Sequence, residues 1–318
     1  MKKSLVCTAI SMAAVCAHAA YPDRPIRMIV PSTPGGGTDL AARMVSPKLS
    51  EFLGQQIVID NRGGASGNIG AELGARATPD GYTLTAAVAS LTSNASLMKK
   101  VPFDIQRDFA PIAMTVIVPN LLVSHPSLPA QNVKELIAHI KSRPGQMQFA
   151  SAGVGSMPHL MMEFFVGMAG VKMIHVPYKG AGPALVDTIA GHVPVMAANI
   201  LSTLPHVKAG KLRAYGVTSA KRSPGAPEIP AIAEAGLPGY DAVTWFGVLA
   251  PAGTPREIVM KLHAGVVRSV NDPSVRNRFI SDGADPNPSK SPEEFAALIS
   301  SETRKWAKVI KDAGIQPE

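Results

Sequence analysis

Short apolar runs alternate with amphipathic stretches along most of the chain after residue 20. Apolar residues two apart predict a strand at 26–30, and apolar residues at helical spacing predict a helix over 40–53. A second strand at 57–59 leads to a helix from Asn68, and a third strand covers 82–88. Strands that alternate with helices indicate a parallel sheet with right-handed crossovers.

A second series of alternating segments occupies the middle of the chain. It predicts strands at 120–123, 148–151, 173–176 and 193–198 and helices at 133–141, from Pro158 and at 183–190. The stretch 223–238 is rich in Pro, Gly and Ala and predicts an ordered connection, and the chain from Thr254 onward predicts a closing helical region. Two such series indicate two halves that face each other across one cleft.

Gly- and Ser-rich loops recur where the predicted strands end and the helices begin. The four loops are 35–38, 64–67, 90–93 and 153–156. Helix N-termini present N–H groups without intrahelical partners at the positive end of the helix dipole, and hydroxyl groups add further donors. Such loops on neighbouring strands predict a binding site for a small anion that needs no arginine. For any one loop alone, an ordinary strand-to-helix turn is the other interpretation.

The basic charge of the chain is dispersed. The net charge of +8 in 318 residues includes no basic cluster longer than the pairs Lys99-Lys100 and Lys221-Arg222, and aromatic residues make up only 5%. Nucleic-acid binding needs clustered positive charge, so we expect no nucleic-acid partner.

The N-terminus predicts an export signal over residues 1–19. Lys2 and Lys3 precede an apolar run over 5–15, and Ala17-His18-Ala19 fits a cleavage site. The run is too short to span a bilayer. Both cysteines of the chain fall inside this segment, so the mature protein has no disulfide. We therefore expect a periplasmic protein.

Standard catalytic and cofactor signatures are missing from the sequence. It has no G-x-x-x-x-G-K-[ST], G-x-G-x-x-G or G-x-S-x-G pattern, and its histidines form no close metal-ligand pair. Ser156 and His159 stand three apart at the start of a predicted helix, which is the position of a capping serine, so Ser156 is predicted to cap a helix rather than to act as a nucleophile. We expect no catalytic residue, no metal site and no cofactor.

Several residues have two interpretations each. Asp39 either contacts a ligand or caps the helix that follows the first loop. Lys179 is either a charge partner for an anion or a solvated loop residue. Trp245 and Phe246 belong either to the core or to the wall of the cleft.

Seven short motifs are spread over the chain: Tyr21-Pro22 with Pro25 to Pro31, Pro34 to Asp39, Asp60 to Arg62 with Gly67 to Gly70, Asp80 to Leu84, Gly153 to Ser156 with His159-Leu160, Val176 to Gly180, and Pro251 to Pro255. Together with the export signal, they resemble the Bug family (TctC-like) of periplasmic solute receptors, which are tied to tripartite tricarboxylate transporters. Each motif alone is weak, but the set covers essentially the whole chain and is specific.

The resemblance implies an α/β, two-lobed periplasmic-binding-protein fold of the Venus flytrap, type II-like kind. Each lobe would be a mostly parallel sheet flanked by helices. Residues 20–122 and 248–318 would form lobe 1, and residues 123–247 would form lobe 2. The lobes are expected to close on a small organic carboxylate and deliver it to a membrane permease of the tripartite tricarboxylate type, with the receptor acting as a monomer.

The resemblance also implies which residues contact the ligand. In the family, the first glycine loop holds a ligand carboxylate largely through backbone groups and ordered water. On lobe 1 the resemblance assigns ligand contacts to Thr33, Gly36 and Asp39 in and beside this loop, and to Ser90, Thr92 and Asn94 after the third strand. On lobe 2 it assigns them to Ser151, Gly153, Ser156, His159, Tyr178, Lys179 and Asn199.

Four positions depart from the pattern of the family. Ser32 replaces a frequent Phe, which puts packing against the ligand there in question, and Gly63 and Ser66 replace a usual Pro and a usual Gly. Ala198 stands where relatives often carry an Asp that reads a ligand's amino group, which argues against an amino acid and leaves aromatic and simple dicarboxylic acids open. Two rival functions also stay open: a receptor for a membrane signalling partner and an exported α/β hydrolase or isomerase.

Overall fold

The computed structural model describes residues 21–312 and 315–317, so the predicted export signal lies outside the described residues. Its strands are β1 (Ile26–Val30), β2 (Ile57–Asn61), β3 (Thr83–Val88), β4 (Phe109–Ser124), β5 (Gln148–Ser151), β6 (Ile174–Pro177), β7 (Val195–Asn199), β8 (Arg213–Val217), β9 (Val243–Pro251) and β10 (Asp285–Pro286). Its helices are α1 (Gly37–Leu53), α2 (Asn68–Ala75), α3 (Asn94–Leu97), α4 (Val133–Lys141), α5 (Met157–Ala169), α6 (Ala181–Ile189), α7 (Ile200–Lys208), α8 (Ile232–Ala235), α9 (Arg256–Asn271), α10 (Pro273–Ser281) and α11 (Pro292–Asp312). Within the described ranges, no helix combines the length and the apolar character needed to cross a bilayer.

The strands form two mixed sheets that share the long strand β4. In the first sheet β2, β1 and β3 are parallel, and β9 runs antiparallel both to β3 and to the first part of β4. In the second sheet β6, β5 and β7 are parallel, and β7 runs antiparallel to the end of β4. The predicted α/β architecture with two halves is confirmed. The sheets are mixed rather than mostly parallel, because β4 and β9 carry the chain between the halves in opposite directions.

The strand β4 is much longer than the predicted strand at 120–123. It contains Pro111 and Pro119, and proline normally argues against a central strand because it has no N–H to donate. The register between β4 and β9 shifts twice, once beside Pro111. A sheet accommodates proline and bends at such bulges. The local sequence therefore argues against a strand here, although pairing with β9 forms one.

The chain crosses between the two sheets at two neighbouring points. Strand β4 exchanges β9 for β7 as its partner between Pro119 and Asn120. Thr218 ties the two crossings together. Its hydroxyl accepts from the Asn120 N–H at 2.8 Å, its own N–H donates to the Asn120 carbonyl at 2.9 Å, and its carbonyl accepts from the Ala242 N–H at 2.8 Å. The predicted lobe boundaries near residues 122 and 248 stay a prediction.

Trp245 belongs to the hydrophobic core rather than to the cleft. Its ring packs edge-on against Phe295 of α11, with ring centroids 5.3 Å apart. Gly247 makes room for this packing, because a Cβ at that position would lie 2.4 Å from the Phe295 ring. Successive residues of a strand point to opposite faces, so Phe246 faces away from this part of the core.

Candidate ligand-binding site

One cavity lies between the two sheets, at the carboxyl ends of β1, β2, β3, β5, β6 and β7, where α/β proteins bind their ligands. Its volume is about 670 Å³, including the part open to solvent. Among the described residues that line it, none carries a charged side chain. Apolar walls come from Pro31, Val88, Met157, Pro158 and Phe246.

Helix α1 borders the cavity with an N-terminus that no side chain caps. Its N-cap residue is Gly36, and Gly36, Gly37 and Thr38 all line the cavity. The Gly36 N–H bonds to the Thr33 carbonyl at 3.3 Å. The following N–H groups of the first turn have no intrahelical acceptor, so they are available to an anion in the cavity.

Asp39 supports this N-terminus from the far side. Its Oδ2 accepts from the Gly35 N–H at 2.9 Å, and its Oδ1 accepts from Arg43 Nε and Asn61 Nδ2, both at 2.9 Å. Burial acts to raise the pKa of the Asp39 carboxyl, but the hydrogen bonds from Arg43, Gly35 and Asn61 outweigh it and hold the pKa below its usual range. Asp39 does not line the cavity, so the structure places it where it shapes the loop.

Helix α6 brings a second uncapped N-terminus to the same cavity. Its N-cap residue, Gly180, has a φ of 130°, and Gly180 and Ala181 both line the cavity. Helix α5 differs, because the hydroxyl of its N-cap residue Ser156 accepts from the His159 N–H at 3.4 Å and Pro158 has no N–H. Free backbone donors therefore come from α1 and α6, and the N-cap residue of α2, Gly67, also lines the cavity without a side-chain cap.

Two glycines let the two halves of the cleft touch. A Cβ on Gly37 would lie 2.4 Å from Asn199 Cγ, and a Cβ on Gly180 would lie 2.5 Å from Thr33 Oγ1. The Ser66 hydroxyl also donates to the Val154 carbonyl across the cleft. The structure therefore shows the halves in contact around the cavity.

Four of the predicted ligand residues line the cavity, namely Gly36, Ser90, Ser156 and Asn199. The Ser156 hydroxyl already has partners within the protein, since it caps α5 and donates to the Gly153 carbonyl at 2.6 Å. The Oδ1 of Asn199 caps α7 by accepting from the Leu201 N–H at 3.1 Å, which leaves its amide nitrogen for a ligand. Ser90 and Asn199 thus supply side-chain donors beside the two helix N-termini.

The remaining predicted residues lie outside the lining of the cavity. Thr92 donates to the Ala89 carbonyl at 2.6 Å, and Asn94 Nδ2 donates to Asn68 Oδ1 at 2.6 Å. Thr33 and Lys179 line a neighbouring recess at the surface. Their roles in ligand binding stay a prediction.

Tyr178 is held by an acidic side chain on its own half of the protein. Its hydroxyl donates to Asp187 Oδ2 at 2.6 Å. Burial, with the Asp187 carboxylate adding to it, raises the pKa of Tyr178 to about 12. The phenol therefore stays protonated at neutral pH and braces the loop that leads to α6.

His159, Ser151 and His175 form a cluster behind the loop that precedes α5. His159 Nδ1 accepts from the Gly155 N–H at 3.1 Å, and Ser151 Oγ lies 2.6 Å from His175 Nε2. The Gly153 N–H donates to Ser151 Oγ at 3.1 Å. Two predicted ligand residues, Ser151 and His159, therefore hold the loop in place through its Gly153 and Gly155 N–H groups.

Asn120, Thr244 and Phe246 line the cavity, and the sequence did not predict them as ligand residues. Thr244 and Phe246 stand two apart on β9, so their side chains share a face. Phe246 pairs with Val88, and Asn120 pairs with Asn199; residues directly opposite in antiparallel strands also share a face. This face follows from the pairing of β4, β7 and β9, and no local sequence pattern shows it.

A comparison with family models settles the relationship that the motifs suggested. The model described as "Tripartite tricarboxylate transporter family receptor" matches residues 41–315. The chain belongs to this family. The resemblance drawn from the sequence is therefore confirmed, and so is the periplasmic-binding-protein fold of this receptor.

Known relatives of the receptor match it over almost its whole length. BugT of Bordetella pertussis is 38% identical over 296 residues, which cover 92% of this chain and 90% of BugT. The R. palustris protein Rpa4515, solved with adipate, is 39% identical with a TM-score of 0.91, covering 94% of this chain and 100% of that one. MatC from Rhodopseudomonas palustris, solved with bound malate, is 33% identical with a TM-score of 0.86, covering 91% of this chain and 100% of that one.

Proposed function

We propose that this receptor captures a small organic carboxylate in the cavity between its halves and presents it to a membrane permease of the tripartite tricarboxylate type. The observation that carries the proposal is the convergence of the uncapped N-termini of α1 and α6 on one cavity. Adipate and malate, found in two related structures, are both small carboxylates.

The neutral cavity suits such a ligand. A buried carboxylate is costly unless hydrogen bonds surround it. Here the donors are backbone N–H groups at Gly37 and Ala181, reinforced by the helix dipoles, and the side chains of Ser90 and Asn199. Because these donors do not titrate, we expect binding that varies little with pH around neutrality.

Closure of two lobes completes the proposed mechanism. The lobes are residues 20–122 with 248–318 and residues 123–247, and the crossings held by Thr218 act as the hinge. A ligand that bonds to α1 on one lobe and α6 on the other stabilises the closed form in preference to the open one. The contacts of Gly37 and Gly180 across the cleft fit this closed form.

In this proposal the receptor works in the periplasm as a monomer and does not catalyse any reaction of its ligand. Its predicted export signal and its family support the location. An exported hydrolase would need a general base near its nucleophile. In the part of the chain that the structure describes, no His, Asp, Glu or Lys side chain lines the cavity, and no specific feature favours a signalling partner over a permease.

Ligand titration tests the proposal directly. Adipate, malate and benzoate are added to the purified mature protein in calorimetry and thermal-shift assays, with the methyl esters of the same acids as matched controls. A binding acid at 100 times its Kd should stabilise the fold by about 2.7 kcal/mol, while the esters should not bind. Failure of every acid to bind, or equal binding of acid and ester, would contradict the proposal, and turnover of a bound acid would contradict the receptor role.

A further inference from the structure

The floor of the cavity holds buried polar atoms that the protein itself leaves without partners. Asn120 is only 1% exposed, and neither its Nδ2 nor its Oδ1 has a hydrogen-bond partner among the described residues. Thr244 is 3% exposed, and its Oγ1 is likewise unpaired. Both residues line the cavity. Buried polar groups nearly always have partners, so these atoms point to a partner that comes from outside the chain.

The two side chains share one face of the sheet and lie close enough to meet a single ligand group. Thr244 pairs with Val118 across β9 and β4, and Asn120 stands two residues beyond Val118. This makes Asn120 and Thr244 diagonal neighbours, whose Cα atoms lie roughly 7–8 Å apart in such a pair. Asn199 lies directly opposite Asn120 in the register, but its Oδ1 is held by the Leu201 N–H, and no hydrogen bond joins the two amides.

The unpaired atoms set a chemical requirement on the ligand. Asn120 Nδ2 and the Thr244 hydroxyl can donate, whereas Asn120 Oδ1 can only accept. A carboxylate has no hydrogen, so it satisfies the donors and leaves Oδ1 unpaired. Turning the Asn120 amide over exchanges the positions of its two atoms but still leaves one acceptor to be satisfied. A hydroxyl or a carboxamide both donates and accepts, so either group can give a partner to both Nδ2 and Oδ1 of Asn120.

We propose that Asn120 and Thr244 determine specificity by binding a neutral group that donates and accepts hydrogen bonds, a hydroxyl or a carboxamide, on the acid that the receptor captures. The inference rests on the proposed function, since the carboxylate of the same ligand lies at the helix N-termini. The apolar walls at Val88, Met157 and Phe246 take the carbon skeleton between the two polar groups. The preferred ligand class is therefore a hydroxy- or amido-monocarboxylate and not a bare dicarboxylate.

Two series of matched acids test the ligand class by calorimetry. The first is hexanoate, 6-hydroxyhexanoate, adipic acid monoamide and adipate; the second is butyrate, 4-hydroxybutyrate, succinic acid monoamide and succinate. Within each series only the terminal group changes. In at least one series the hydroxy acid or the monoamide should bind at least about tenfold more tightly than both the unsubstituted acid and the dicarboxylate.

Two substitutions test the residues. Because the side chains of Asn120 and Thr244 make no hydrogen bond within the described chain, Asn120→Leu and Thr244→Val should fold, with a ligand-free Tm that is unchanged or raised. Asn120→Leu should reduce the preference for the hydroxy acid or monoamide to less than about twofold, and Thr244→Val should reduce it partly. Thr85→Val is the matched control, since Thr85 Oγ1 is also buried and unpaired but Thr85 does not line the cavity. It should leave the preference unchanged.

The outcomes separate this inference from the proposed function. If a dicarboxylate or an unsubstituted acid binds most tightly, or if the preference survives in Asn120→Leu, then the inference is wrong while carboxylate capture stands. If Thr85→Val abolishes the preference as Asn120→Leu does, the inference is wrong as well. If no acid of either series binds and the acids of the first titration also fail, both are overturned.

Discussion

The imidazole rings of His159 and His175 lie parallel, with their centroids 3.9 Å apart and their planes inclined by only 10°. Phe149 packs beside both rings. Two charged imidazoles at this distance would repel each other, and His159 also holds the Gly155 N–H of the loop that borders the cavity. The charge on His175 therefore bears on the stability of the fold, and its contact with His159 connects it to the loop at the cavity.

We expect the free energy of unfolding to fall as the pH is lowered from 6.5 to about 4. Burial, and after it the neighbouring His159, lowers the pKa of His175 from its ordinary value of 6.5 to about 4, against an opposing contribution from Glu163. Between these values the unfolded chain binds a proton that the native protein does not bind, so stability rises with pH in this window. Urea unfolding at a series of pH values measures the slope.

The variant His175→Gln should lose this part of the pH dependence, because its side chain does not titrate. His139→Gln, on α4 and away from the stack, is the matched control and should retain the contribution of His175. An unchanged slope in His175→Gln would show that His175 does not control stability at acid pH.

Replacing Asp39 should weaken ligand binding although Asp39 does not line the cavity. Asp39→Ala removes the acceptor of the Gly35 N–H and of one hydrogen bond from Asn61 Nδ2, so the first turn of α1 loses its support, and we expect Kd to rise about tenfold. Asp39→Asn keeps an acceptor for the Gly35 N–H and should recover part of the loss, as measured by calorimetry. Asp60→Ala removes a carboxylate that holds the exposed Arg27 and Arg62, and as the control it should leave Kd unchanged.

Substituting Gly37 should block closure by steric conflict. The new Cβ of Gly37→Ala would lie 2.4 Å from Asn199 Cγ, so the two halves could not approach as they do here. We expect ligand affinity to fall at least tenfold with little change in the ligand-free Tm, and small-angle scattering with ligand should show a more open molecule. Gly167→Ala, in α5 with nothing near its Cβ, should close and bind normally; equal behaviour of the two variants would contradict the steric role.

Removing the Phe295 ring should lower the stability of the fold without changing the ligand preference. Phe295 is fully buried against Trp245, on the face of β9 opposite Phe246. Phe295→Ala should lower the free energy of unfolding by about 3–5 kcal/mol, while ligand preference at low temperature stays unchanged. Met260→Ala, at an exposed position of α9, is the control and should change the free energy of unfolding by no more than about 0.5 kcal/mol. A large change in ligand preference in Phe295→Ala would mean that the two faces of β9 are coupled.

The local pattern of the sequence was enough to predict the βα units. The strands β1, β2, β3, β5, β6 and β7 and the helices α1, α2, α5 and α6 were predicted to within a few residues, because each depends on apolar periodicity and on glycine at its boundaries. Helix α7, which follows β7, was not predicted. The loops before α1 and α2 and after β3 were also predicted to reach the ligand site, since the carboxyl ends of parallel strands meet at one edge. The sequence therefore determined the fold class and the edge of the sheets at which the cavity lies.

The tertiary structure decided which side chains face the cavity. Asp39, Ser151 and His159 had the right residue types and the right loops, yet their hydrogen bonds brace those loops from behind. Asn120 and Thr244 gave no local signal, because their exposure to the cavity depends on how β4 pairs with β7 and β9, strands that are distant in the sequence. Local periodicity fixes what each segment becomes, but only the long-range register of the strands fixes which of its faces meets the ligand.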